Sequence, residues 1–170
     1  MRIDGEPELR LRPATAADRE FLIALFASTR GPELAVLPDE VSRAAFIVSQ
    51  FDLQDTHYRS HCPTATFDVI ECDGERVGRI YVHRRDDEIR LMEITVAPLF
   101  RRRGIARRLL AALIAEGDAT GVPIGLHVEP DNHARAWYGR LGFRHHSDGG
   151  VYQFLLRPAD TGAGQESVIS

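Results

Sequence analysis

Lysine is absent from this 170-residue chain, and all 21 basic residues are arginine. Cysteine is scarce: Cys62 and Cys72 have neither CxxC nor ligand-like spacing. That speaks against a disulfide framework and suits two unlinked thiols in a reducing, cytoplasmic setting. No apolar run approaches the roughly 18–20 residues of a membrane span. Met1–Arg12 alternates charge and lacks an apolar stretch, so no signal peptide is expected there. The seven histidines fall at no ligand spacing, and no metal is predicted. A positive balance is lacking too, since the net charge of -4 disfavours general nucleic-acid binding. What remains, 44% apolar and 27% charged, is the profile of a globular protein long enough for one domain with a sizeable core.

Periodicity then orders the chain. Leu9–Arg12 alternates as a first strand ended by Pro13, and Thr15–Asp18 resembles a capping box opening a helix to Ser28. Arg30–Pro38, with two prolines, reads as a loop. Asp39 caps a second helix reaching His61. Phe67–Cys72, Arg76–His83 and Glu88–Val96 form a meander, with Asp73-Gly74 as its first turn and Pro98 after its end. A helix from Gly104 to Glu116 carries Ile105, Leu109 and Leu113 on one face. Ile124–Glu129 is a strand, and Ala134–Arg140 is a short helix stopped by Gly142. A final hairpin joins Phe143–His146 to Val151–Leu156 through Ser147–Gly150. The order βαα-βββ-α-β-α-ββ predicts a mixed α/β (α+β) domain over 1–157, a sheet flanked by helices, with a disordered tail over 158–170.

Five arginines fall within 101–108, where a strand gives way to a helix. A helix N-terminus already carries partial positive charge, so cations there are locally unfavourable. An anion seated on that terminus would reverse the balance. Gly104, lacking a Cβ, lets backbone approach such an anion. GxxxxGK[ST] and GxGxxG are both absent, so neither a nucleotide P-loop nor a dinucleotide fingerprint is present. The turn therefore reads as a seat for a phosphate-bearing ligand, with a solvated arginine patch or nucleic-acid phosphate as the alternatives.

Arg101-Arg102-Arg103-Gly104-Ile105-Ala106 resembles the R/Q-x-x-G-x-G/A signature of the GNAT superfamily of acyl-CoA N-acyltransferases. Leu126-His127-Val128, Asn132, Ala134, Trp137-Tyr138 and Leu141-Gly142-Phe143 are similar to the family's later block. Leu11-Arg12-Pro13-Ala14-Thr15 with Asp18 resembles its opening. The likeness covers residues 9–157 and implies the GNAT fold, with a mostly antiparallel central sheet. It implies acetyl-CoA as co-substrate and a primary amine as acceptor, joined by direct attack in a ternary complex. It also implies that Arg101, Arg102, Arg103, Gly104, Ile105, Ala106 and Arg107 hold the pyrophosphate. The pantetheine arm would pair with Ile94, Thr95 and Val96, and backbone N–H near Val96 would polarise the thioester. Asn132 is assigned a cofactor contact, although it lies one residue closer to Tyr138 than the commoner family spacing, which falls on Asp131. Tyr138 matches the tyrosine that protonates the leaving thiolate. A homodimer is implied by family analogy alone.

The acceptor amine must lose a proton. Strand alternation puts Leu91, Glu93 and Thr95 on one face, making Glu93 one candidate base. His127, on the strand bordering the implied acyl gap, is the other, and a water chain is a third possibility. On the second helix, Gln50, Gln54, His57 and His61 fall in a narrow arc flanked by apolar residues. Gln50, Gln54 and His57, with Tyr58, are read as acceptor contacts, against the plainer reading of a wet stripe at the sheet edge. Enzyme, acyl-CoA sensor without turnover, and nucleic-acid binder remain the three functional readings.

Overall fold

The computed structural model describes residues 6–162. It forms a mixed, mostly antiparallel seven-stranded sheet flanked by helices, with strand order β1-β2-β3-β4-β5-β7-β6. The strands are β1 Leu9–Pro13, β2 Thr66–Cys72, β3 Glu75–Arg84, β4 Ile89–Val96, β5 Ile124–Val128, β6 Arg144–Gly149 and β7 Tyr152–Arg157. The helices are α1 Arg19–Ala27, α2 Gly31–Ala35, α3 Glu40–His61, α4 Ile105–Thr120 and α5 Arg135–Arg140. No described helix is long and apolar enough to cross a membrane. Two compact units divide the chain. The first runs to Tyr81 and resumes over Glu93–Ala106; the second takes Val82–Met92 and the chain from Arg107 on.

In the first unit β1 pairs antiparallel with β2, Leu11 opposite Ile70. The apolar faces of α1 and α3 close a core of Leu22, Phe26, Ile47, Phe51 and Val69. Phe26 and Phe51 meet edge to face with centroids 6.0 Å apart. Asp39 caps α3 by accepting from the Ser42 N–H at 2.7 Å. At the other end of this core, Asp18 is 1% exposed. Its carboxylate accepts both Arg12 Nη atoms at 2.8 Å, the Thr15 N–H at 2.8 Å and Arg76 Nη1 at 3.3 Å. Those donors, the Arg12 pair foremost, outweigh burial and hold Asp18 well below the usual carboxylate range.

In the second unit the parallel β4–β5 ladder sets Ile89–Leu91 opposite Ile124–Leu126. Antiparallel β5–β7 and β7–β6 pairs follow. Leu109, Leu110 and Leu113 of α4 are buried, as are Ile124, Leu126, Val128, Phe143 and Leu155. Asp118 on α4 accepts from Arg157 Nη1 of β7 and from the Asp160 N–H, both at 2.8 Å. That bond ties down the start of the expected tail; its residues 163–170 lie outside the described residues.

Three stretches differ from the sequence reading by more than a residue at an element end. The Arg30–Pro38 loop contains α2, because proline in a first helical turn starts a helix rather than breaking one. Helix α4 continues a turn beyond Glu116 to Thr120. The final hairpin turns at Gly150-Val151, with Gly149 opposite Tyr152 and Gly150 at φ +66°. Ser147–Gly149 belong to β6, an edge strand exposed along its length, and their polar character imitates a loop.

Candidate active site

The first unit carries the arginine turn. After β4, Pro98–Phe100 make a single 3-10 turn and Arg101–Gly104 lead into α4. Backbone φ is +63° at Arg102 and +77° at Gly104, left-handed at both. Such backbone builds the N–H concavities that hold anions, and it feeds directly into a helix N-terminus. Ile105 is buried and anchors the turn, while residues 101–104 are exposed. A Cβ built on Gly104 meets no protein atom within 4 Å, so the space beside it is open. The cluster is not uniform, however. Arg101 Nε donates to the Val96 carbonyl at 3.0 Å, and Arg103 lies over the Phe100 ring at 5.1 Å. Arg101 thus binds the end of β4 through Nε, while Arg102 and Arg107 are exposed.

The same unit holds Glu93, and its surroundings centre on a residue the sequence reading missed. Arg79 on β3 is 2% exposed. Its Nη2 donates to Gln54 Oε1 on α3 at 3.0 Å, and its Nη1 lies 3.4 Å from the Tyr81 hydroxyl. Glu93 Oε2 is 3.8 Å from Nη2. The other Glu93 oxygen accepts from the Thr95 hydroxyl at 2.9 Å, which fits the shared face expected from strand alternation. Gln54, expected to face the acceptor, is therefore joined through Arg79 to the candidate base. The signal was present in Val77-Gly78-Arg79-Ile80-Tyr81-Val82, where one arginine interrupts a buried apolar run. Gly78 sets the spacing of this region, since a Cβ there would lie 2.3 Å from the Thr95 carbonyl oxygen.

The remaining stripe residues on α3 are less buried than Gln54. Gln50, His57 and His61 are exposed, and the His57 and His61 rings stack with centroids 4.1 Å apart. Tyr58 turns inward instead, half-buried with its ring edge-on to Tyr81 at 6.1 Å. Leu53, beside the stripe, is 65% exposed.

The second unit carries His127, Asn132 and Tyr138. His127 is an exposed residue of β5 whose ring lies 5.1 Å from Phe154. Partial burial of the ring, reinforced by the Arg90 charge and opposed by Glu88, lowers its pKa below the ordinary value. Arg90 lies 4.5 Å over the Phe154 ring as well, and a register shift between His145 and Ser147 brings His146 to 5.6 Å from the same ring. That bulge, invisible in alternation, adds His146 to Arg90 and His127 around Phe154. Asn132 Oδ1 accepts from the Ala134 N–H at 2.8 Å, so its carbonyl serves the start of α5 and leaves its amide nitrogen as the group able to donate to a ligand. Tyr138 is half-buried on α5, its ring 5.2 Å from Trp137 and 5.7 Å from Phe143.

A search of curated protein sequences finds no match. Solved structures do resemble the fold. The PaiA N-acetyltransferase of Thermoplasma acidophilum, solved with coenzyme A, superposes with a TM-score of 0.64 at 18% identity, covering 89% of this chain and 99% of that one. An acetyltransferase of Thermus thermophilus gives 0.63 at 22% identity over 88% and 96%. The ribosomal-protein-S18-alanine N-acetyltransferase of Escherichia coli gives 0.60 at 19% identity over 96% and 100%. The profile of the acetyltransferase (GNAT) family matches residues 34–143, a span that takes in the arginine turn, both candidate bases and Tyr138, and the chain belongs to that family.

Proposed function

We propose that this chain transfers an acetyl group from acetyl-CoA to a primary amine by direct attack. The observation that carries the reading is the turn 101–104, with left-handed backbone at Arg102 and Gly104, open space beside Gly104, and the α4 N-terminus behind it. That is a fit for a diphosphate, and coenzyme A supplies the thioester sulfur as the leaving group. Arg102, Arg107 and the backbone from Gly104 to Ala106 would hold the diphosphate, with the Asn132 amide as a further donor. Backbone of Ile94, Thr95 and Val96 would align the arm that carries the acetyl group.

Glu93, held on one side by Thr95, takes the proton from the acceptor ammonium. The amine nitrogen then forms its bond to the acetyl carbonyl carbon as the carbon–sulfur bond breaks. Tyr138 gives its phenolic proton to the departing sulfur, and the second proton that the nitrogen loses on becoming an amide returns to the tyrosinate through solvent. His127 is the second reading for proton acceptor, favoured by its lowered pKa, which keeps the imidazole neutral and able to accept at pH 7. Gln50, His57 and Leu53 would present one wall to the acceptor.

Two measurements test the proposal together. Acetyl-CoA at about 100 times its Kd should stabilise the protein by ~2.7 kcal/mol, a melting shift of several degrees, while an oligonucleotide should not. Free thiol should then appear when a polyamine, an aminoglycoside or an alanine-ended peptide is added. Binding without thiol release for every amine would make the protein a sensor; no binding at all would end the proposal.

A further inference from the structure

We infer that Arg79 is a positioning residue for Glu93, locking the proton acceptor to helix α3; the inference rests on the role given to Glu93 above.

Alternation along β3 places Val77, Arg79 and Tyr81 on one face. The Arg79 guanidinium is 4.9 Å from the Tyr81 ring and 5.9 Å from the Phe26 ring. A guanidinium stays charged at any working pH, so its burial calls for compensation. The compensation is thin. Of five N–H donors, two have hydrogen-bond partners, one of them at 3.4 Å. Nε is buried and has no hydrogen-bond partner. The pair with Glu93, at 3.8 Å, is too long for a hydrogen bond and close enough for charge to act. An apolar side chain of similar volume would often serve stability as well or better.

What Arg79 does that an apolar residue cannot is bridge two elements of the proposed site. Gln54 on α3, Arg79 on β3 and Glu93 on β4 form a chain closed by Thr95, with links of 3.0, 3.8 and 2.9 Å. Each Glu93 oxygen is thereby addressed, Oε1 by the hydroxyl and Oε2 by the cation. The Glu93 side chain is 24% exposed, so it can still meet an acceptor. Swinging it outward would separate Arg79 from that negative charge. An acceptor docking on α3 would thus meet a base whose orientation is already set from that helix.

The test is a double-mutant cycle on turnover. Arg79→Met should lower kcat about tenfold or more at saturating acetyl-CoA and amine, with acetyl-CoA Kd within about twofold of wild type. Arg79→Lys, which keeps charge and loses the fork, should fall between the two. In a Glu93→Gln background, Arg79→Met should change kcat by less than about twofold, because the group through which it acts is gone. Should Arg79→Met fail to fold, the same cycle is run with Arg79→Lys. Equal fold losses with and without Glu93, a change confined to KM, or undiminished turnover would overturn the inference. A wild-type protein that releases no thiol with any amine overturns the transferase reading and this role together, whereas an active wild type with an additive cycle overturns this role alone.

Discussion

Gly104 and Gly121 flank helix α4 and make a matched pair of probes. Both have left-handed backbone, φ +77° and +73°, and a Cβ built on either meets nothing within 4 Å. Alanine at either site therefore brings the same protein-only cost. Left-handed backbone disfavours an L-residue by about 1–2 kcal/mol. Loss of glycine entropy in the unfolded chain returns a few tenths of that. Each variant should melt about 2–6 °C below wild type, since 1 kcal/mol corresponds to roughly 2–4 °C in a domain of this size. The ligand separates them. At Gly104 the new methyl enters the space where backbone is proposed to meet a diphosphate, so Gly104→Ala should weaken acetyl-CoA at least about tenfold, ~1.4 kcal/mol. Gly121→Ala should bind as wild type does. Titration calorimetry with acetyl-CoA and with CoA, at one salt concentration, reads the difference. Wild-type affinity in Gly104→Ala would refute the seating of the diphosphate on this turn. An equal loss in Gly121→Ala would show that helix strain, rather than contact, is being measured.

Other outcomes follow from the same geometry. Asp18→Asn leaves Arg12 and Arg76 without their buried carboxylate and should cost about 2–4 kcal/mol at pH 7, the low side of buried pairs because both arginines are partly exposed. Since the folded Asp18 titrates below its unfolded value, wild-type stability from this site is complete above about pH 4 and declines as pH falls further. Denaturant midpoints of wild type and variant should therefore converge in acid. Glu93→Gln should lower kcat by about 10² or more while His127→Gln keeps it within a few-fold. The reverse would hand the proton to His127, and the acid limb of kcat/KM would then lie below its ordinary ~6.5. His57→Ala and Gln50→Ala should raise the acceptor KM and leave acetyl-CoA affinity alone; equal loss of both would mark a folding defect.

The elements of the candidate donor side were legible because they are local. An arginine-glycine turn, its helix and the Asn132–Tyr138 stretch are each written within a few consecutive residues, and alternation alone put Glu93 beside Thr95. The candidate acceptor side draws on residues of α3, β3 and β4, and no single stretch of sequence shows how they meet. Gln54, read as an acceptor contact, is also a buried arginine's partner. Tyr58, read as an acceptor contact beside the stripe, packs on Tyr81. Arg79 went unremarked because a charged residue in an apolar strand reads as local noise until the neighbouring elements are in place. His146 lies beside Phe154 at a bulge whose position depends on the partner strand, which alternation alone does not reveal.

The end of β4 is where the local and the distant parts of the first unit meet. The Thr95 carbonyl abuts the position that only glycine leaves open at Gly78. The Ala97 N–H donates to the Val77 carbonyl at 2.7 Å, and the Val96 carbonyl accepts from Arg101. Glu93, Thr95 and Ala97 thus meet β3, and Val96 meets the arginine turn. The candidate base and the candidate diphosphate seat are then one mechanical segment. A shared segment of that kind suits holding an amine and a thioester within attack distance. It also explains why a turn rich in arginine spends one of them on a backbone carbonyl: Arg101 joins the seat to the strand that carries the base.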